Sequence, residues 1–465
     1  MSDNLLKLSE RLFAEKLEQS PPAAQNLQSR TPVHVVYGGA HLFKSNTIEK
    51  LGQIALRSLE TYAPNFVAFA EAVWLRGADN LPTYDELIED LEFRLADNPE
   101  RVKAEHYDAW LAWTVYNRVV EKLKREPVED FRIDFEDGYG LRRDDEEDAH
   151  AAGAATEMAA AFADNRLPPF CGFRVKSFQH ETYRRAVRTL GLFLDNLLAK
   201  TGGRLPDNFV VTLPKIARRE EVQILSELLA AIERENRLAA DSVKIEIMIE
   251  TPESVLAIRE IAAAAGARLA AAHFGAYDYT ASFGITGAHQ HLQHDACRFA
   301  RQMMQVNLAP LGVRLSDSVT TEMPVAVHRG ENLSEKQKIE NRRAVSAAWR
   351  RHYNNVSRSL INGFYQSWDL HPAQLVARYA AVYAFFLETA DEQAARLKTF
   401  VGRATRAMLT GNQFDDAASA QGLLNFFTRA VSCGALTAEE AEQKTDLSAE
   451  ELGSASFIKI MKGRA

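Results

Sequence analysis

The sequence predicts an α/β protein: a closed (β/α)8 barrel, or TIM barrel, with a helical insertion after the first strand and a C-terminal helical extension. Three observations predict it. Eight short runs rich in β-branched, aromatic and apolar residues recur along the chain, and most gaps between them hold an Ala- and Leu-rich amphipathic helix. A chain of 465 residues also has room for one barrel of about 250 residues with additions. Alternating strand and helix calls for parallel strands, and eight such units close the sheet.

Residues 1–20 have the charge and apolar spacing of an amphipathic helix, and the prolines of "SPPAAQNLQSRTP" forbid its continuation, so 1–31 is read as an N-terminal helix and connector. The first strand, "VHVVYGG" at 33–39, is followed by a long gap holding "PTYDELIEDLEFRL" and "EHYDAWLAWTVYNRVVEKLKRE". Both are helical by pattern, which places a helical insertion at about 75–127. The next strands are "FRIDFED" at 131–137, "CGFRVKSF" at 171–178 and "NFVVTLPKI" at 208–216. "KIEIMIET" at 244–251, "RLAAAHFGAYD" at 268–278, "GVRLSDS" at 312–318 and "GFYQSWDL" at 363–370 complete a barrel over 32–375. Residues 376–465 are read as the helical extension; its segments, with "LLNFFTRAV", are core or subunit contact, and a homo-oligomer is expected.

Composition narrows the partners. Apolar residues at 46% and charged residues at 25% are the balance of a soluble globular protein. A net charge of -8 and basic clusters no longer than "RRH" at 350–352 argue against nucleic acid, which needs clustered Lys and Arg. Cys171, Cys297 and Cys433 lie too far apart for a zinc or disulfide framework. The N-terminus lacks the apolar run of a signal peptide, and no segment approaches the roughly 20 apolar residues that cross a bilayer. A cytoplasmic protein without a membrane partner is expected.

A barrel of this kind builds its site at the C-terminal ends of its strands. In "DFRIDFEDGYG", at 130–140, the two-residue period puts Arg132, Asp134 and Glu136 on one face and Phe131, Ile133 and Phe135 on the other. Asp134, Glu136 and Asp137 gather where that strand runs out, with Gly138 and Gly140 for a tight turn. Arg174 and Lys176 end the third strand on one face, Pro214 and Lys215 the fourth, Glu250 the fifth and Asp278 the sixth. Asp317 lies on the seventh, and Trp368, Asp369 and His371 close the eighth. One charged strand end is ordinary loop solvation, but acids and bases at nearly every strand end converge on one mouth. Such a ring is either a salt-bridge network or a metal and anion site.

Glu250 and Asp278, on adjacent strands, suit a hard divalent ion, Mg2+ or Mn2+, which keeps positions for water or substrate. A 2-oxo acid chelates such an ion through carboxylate and carbonyl, and the metal polarises the carbonyl as a Lewis acid. Arg174 offers a planar, permanent charge to the substrate carboxylate or to the oxygen that becomes an enolate.

These motifs resemble the citrate lyase beta subunit and hydroxy-acid aldolase (HpcH/HpaI) family, with malate synthase as a relative. "IDFEDGYG" is similar to the family's "DLEDA" strand, "FRVKSF" to its Arg-bearing strand, and "VTLPKIARREEV" to its "LPK" strand. "MIETPESV" resembles the metal-binding "IETP" strand, "FGAYDYTASFGI" the "G-x-x-D" strand and "SWDLHPAQ" the late "IHPxQ" element. The resemblance spans roughly 33–375. It implies metal ligation by Glu250 and Asp278, substrate binding by Arg174, and Glu136 and Asp137 orienting ligands or metal-bound waters. It also implies a Mg-dependent carbon-carbon lyase or aldolase acting through a metal-stabilised enolate of a 2-oxo or 2-hydroxy acid, free or as a coenzyme A thioester. The alternatives are malate synthase-like condensation of glyoxylate with an acyl-CoA, and a ligand-binding barrel without turnover.

The aldolase branch uses a histidine near its second strand as base, and "DFEDGYG" has none, which favours the citrate lyase and malate synthase side. Asp317 and Asp369 are the candidate bases. Lys215, Asp134, Trp368 and His371 are candidate substrate contacts beside Arg174, although His371 before Pro372 also reads as a helix start. A Schiff-base role for Lys215 or Lys176 is disfavoured by the paired metal carboxylates. In "HQHLQH", His291 and His294 share a helix face that His289 does not, and no acid stands at ligand spacing, so no transition-metal site is expected.

Overall fold

In the computed structural model, strand β1 (His34–Gly39) pairs in parallel with β2 (Asp130–Asp134) and with β8 (Gln366–Asp369). Between them run β3 (Phe170–Arg174), β4 (Phe209–Leu213), β5 (Lys244–Ile249), β6 (Leu269–Phe274) and β7 (Arg314–Val319). Each pairs with its neighbour in chain order, so the sheet closes as an eight-stranded barrel. The structure describes residues 30–402, 408–410, 413–415, 417–454, 456–457 and 459–460. The helix expected over 1–20 lies outside them.

Period-two alternation divides each strand between helix layer and barrel interior. Outward residues such as Phe131, Ile133 and Phe173 are buried under the helices, and Phe173 stacks on Phe193 of helix Tyr183–Thr201 with ring centres 4.1 Å apart. Each such side chain contributes roughly 2 to 3 kcal/mol of burial.

The interior departs from the branched aliphatic layers usual in these barrels. Its middle layer is a buried ionic cluster: Arg132 donates from Nη2 to Glu246 Oε2 at 2.8 Å and also pairs with Asp130. Thr212 Oγ1 donates to Glu246 Oε1 at 2.7 Å, and His273 Nε2 lies 3.0 Å from Glu246 Oε2. Charges this deep are tolerable only when paired and hydrogen-bonded, and these are. The consequence is a rigid polar floor directly beneath the mouth.

Between helix Thr47–Tyr62 and β2 lie helices Phe66–Val73, Asp85–Asp97, Pro99–Glu105 and Tyr107–Arg125, so the long gap after β1 is helical. Helix Gln374–Leu387 is buried almost all round, as a helix apolar on every face must be. Helices Ala390–Gly402, Ala417–Ser432, Ala438–Thr445 and Ala449–Gly453 and the antiparallel pair 408–410 and 413–415 follow. Among the described residues no helix is long and apolar enough to cross a membrane.

Candidate active site

Several expected strands stop short of their sequence runs, because side-chain acceptors replace the ladder at their ends. Strand β2 ends at Asp134, whose Oδ1 accepts the N–H of Glu136 at 3.0 Å and whose Oδ2 accepts the N–H of Gly138 at 2.7 Å. This folds "FEDG" into a turn that carries Glu136 and Asp137 over the mouth. Strand β6 likewise ends at Phe274, and Asp278 stands in the first turn of helix Ala276–Ser282 rather than on the strand.

Arg174, at the end of β3, is fully buried and clamped edge-on by Asp134, with Nε to Oδ1 at 2.7 Å and Nη2 to Oδ2 at 2.6 Å. Despite burial, that carboxylate holds the guanidinium well above its ordinary pKa, so it is a fixed positive charge. Nη1, on the mouth side, lies 3.1 Å from Glu136 Oε2 and donates to Met248 Sδ at 3.6 Å. Asp134 was expected to bind substrate. Both its oxygens are instead occupied by Arg174 and the turn amides, which makes it the support under Arg174.

Glu250 follows β5, buried at 2% exposure, while Asp278 beside it is exposed. Gly275 makes this possible: a Cβ there would stand 2.4 Å from Glu250 Oε2. Glu250 Oε1 accepts the main-chain N–H of Lys215 at 2.6 Å. The Lys215 ammonium bridges Glu136 and Asp137, 2.9 Å from Asp137 Oδ1.

Electrostatics set these carboxyls apart. Burial and the neighbouring Asp278 push the Glu250 carboxyl up to about 8, and burial and Asp137 push Asp278 up. Neither has a salt-bridge partner among the described residues, so the pair is short of positive charge. Oxygen donors of this kind fit a hard divalent cation, for which one or two carboxylates with water or substrate suffice. Among the described residues no group of three or more His, Cys, Asp or Glu is arranged to hold a metal.

Other expected residues point elsewhere. On β7, Ser316 faces inward and Asp317 outward, accepting from Ser359 Oγ at 2.7 Å and lying 3.4 Å from Arg301 Nη1 on two barrel helices. Asp369, outward on β8, is fully buried against Arg378 and His352, the latter at 2.8 Å. Neither is a base at the mouth. Lys176 lies beyond the end of β3, where alternation lapses, and its ammonium donates to Phe135 O and pairs with Glu147 at 2.9 Å, away from Arg174. His371 Nδ1 accepts the Ala373 N–H at 3.1 Å, the helix-start arrangement. His294 does the same for Ala296 at 3.2 Å, and "HQHLQH" forms a 3-10 turn and a loop rather than a helix.

Trp368 points inward and packs beside Arg174, together with Tyr37. The sequence reading passed over Tyr37 and took Gly275 only as the glycine of the "G-x-x-D" pattern. The signal for Tyr37 was available, since alternation along "VHVVYGG" puts it on the inner face with Val35. The spacing of Gly275 from Asp278 carried no indication that it faces Glu250 from a neighbouring strand.

A family model described as "Domain of unknown function (DUF6986)" matches residues 14–460. The chain belongs to that family. No curated protein matches it. Among solved structures, the DUF6986 chain resembles a citrate lyase from Burkholderia xenovorans at 20% identity and TM-score 0.53, covering 71% of this chain and 91% of that one. At this identity the likeness concerns the barrel fold. Weaker matches include the protein CitE from Mycobacterium tuberculosis in complex with magnesium, acetoacetate and coenzyme A, at 14% identity and TM-score 0.45, covering 88% and 99%. A Haloferax volcanii malate synthase matches at 15% identity and TM-score 0.40, covering 72% and 88%.

Proposed function

We propose that this DUF6986 protein is a Mg2+- or Mn2+-dependent carbon-carbon lyase acting on a 2-oxo or 2-hydroxy acid, free or as its coenzyme A thioester. The observation that carries the reading is the pairing of Glu250 with Asp278, which has no salt bridge among the described residues, at the same mouth as the clamped Arg174. Glu250 and Asp278 hold the cation. When bound, it supplies a Lewis acid for the substrate carbonyl and for the negative charge that develops as the carbon-carbon bond breaks.

The chain's own groups do the rest. Arg174 presents Nη1 to the substrate carboxylate, where a fixed donor costs no reorganisation during reaction. Lys215 holds Glu136 and Asp137 together, and these orient ligand and water beside the carboxylate pair. The six motifs that resemble the citrate lyase and malate synthase group support the same class. The site also accommodates the forming direction, condensation of a 2-oxo acid with an acyl-CoA.

The deciding experiment is a screen of 2-oxo acids, 2-hydroxy acids and acyl-CoA thioesters with Mg2+, comparing wild type, Glu250→Ala and EDTA-treated protein. Turnover that survives both Glu250→Ala and EDTA sinks the metal mechanism. Metal-dependent binding without turnover of any substrate favours a ligand-binding barrel.

A further inference from the structure

Asp134 fixes the edge of the Arg174 guanidinium but leaves its two faces open. Two aromatic rings stand together on one side of it. The guanidinium carbon lies 4.9 Å from the Tyr37 ring centre and 5.4 Å from that of Trp368, and the rings are 4.2 Å apart at 38°.

Tyr37 is itself held from below by the polar floor. Its hydroxyl donates to Glu246 Oε1 at 3.2 Å, and its ring meets His273 edge-on, with centres 5.9 Å apart at 85°. Glu246 cannot move away, because Arg132 and Thr212 occupy the same carboxylate. The Trp368 indole N–H, by contrast, is buried with no acceptor among the described residues, and the ring instead packs, tilted, against Tyr37. Tyr37 therefore links the interior cluster to the arginine at the mouth.

We infer that Tyr37 is a positioning residue: its ring supports the Arg174 guanidinium so that Nη1 stays aimed at the carboxylate of the ligand. A planar cation over an aromatic face is attracted by the ring quadrupole, and more strongly where water is excluded. Asp134 holds the guanidinium edge and Glu136 meets Nη1, and the ring adds support against its face that neither carboxylate gives. The inference rests on the proposed function, since it takes a 2-oxo acid carboxylate as the ligand of Arg174.

The test is calorimetric binding of pyruvate to the full chain with Mg2+ present, with Mn2+ affinity and thermal unfolding measured alongside. Tyr37→Leu is expected to weaken pyruvate binding by about thirtyfold, the size of a desolvated cation–π contact, and to leave Mn2+ affinity as in wild type. Tyr37→Phe, which keeps the ring, restores pyruvate binding. In an Arg174→Met background, which has no cation to meet the ring, Tyr37→Leu adds no further loss, because the two changes remove one interaction. Wild-type pyruvate affinity in Tyr37→Leu overturns the inference alone, as does a parallel fall in pyruvate and Mn2+ affinity, which marks a structural role. Should Tyr37→Leu not fold, loss of pyruvate binding in Tyr37→Phe also overturns it, by assigning the effect to the hydroxyl. A wild type that binds no pyruvate with Mg2+ overturns the proposed function and this inference together.

Discussion

The main-chain N–H of Lys215 donates to Glu250 Oε1 at 2.6 Å while the ammonium of the same residue bridges Glu136 and Asp137. One residue thus couples the buried carboxylate to the two acids above it. It does so from the left-handed region, at φ 53°, where a side chain is disfavoured by about 1 to 2 kcal/mol.

Replacing Lys215 separates the strain from the charge. Lys215→Gly and Lys215→Met both lose the ammonium and keep the N–H, but only glycine relieves the backbone. Urea unfolding is expected to find Lys215→Gly more stable than Lys215→Met by about 1 kcal/mol. Equal or lower stability in the glycine variant rules out the strain.

Asp134→Ala strands a buried guanidinium, since Arg174 loses its bidentate partner. Removing one member of a buried pair costs about 3–5 kcal/mol. The loss should appear as a lower midpoint in chemical denaturation. A change below about 1 kcal/mol, the scale of a surface pair, shows that Arg174 finds other support.

Asp317→Asn distinguishes a structural acid from a catalytic one. The carboxylate ties β7 to helices Asp295–Leu308 and Glu335–Ile361, so the expected effect is a stability loss of about 1–3 kcal/mol with Mn2+ affinity unchanged. A large fall in Mn2+ affinity without loss of stability places Asp317 back at the mouth.

Asp369 makes a prediction in pH. Despite burial, Arg378 and then His352 hold its carboxyl well below the ordinary 3.8. The unfolded chain therefore takes up the proton first as pH falls. The stabilisation is complete above about pH 4 and is lost as pH drops through the folded value. The difference in unfolding free energy between wild type and Asp369→Asn should be constant from pH 7 upward and shrink below about pH 4. A difference that persists undiminished in acid contradicts the pairing.

Much of this was legible in the chain. The alternation that separates Phe131, Ile133 and Phe135 from Arg132 and Asp134 is local, and it placed β2 and its inner face. The same alternation along "SWD" separates Trp368 from Asp369, so the exclusion of Asp369 from the mouth was within reach of the sequence. Lys176 was not: two positions past Arg174 the strand has ended, and position parity no longer tells which way a side chain points.

The sequence by itself determined the order of strands and helices, the closed barrel, and the types of charged residue at its strand ends, because periodicity and turn chemistry act between near neighbours. Only the tertiary structure decided which charges meet. Asp134 saturated by Arg174, and Tyr37 standing between Glu246 and Arg174, join residues far apart in the chain. Their distances follow from how the closed sheet brings their strands together, a relation that no local pattern encodes.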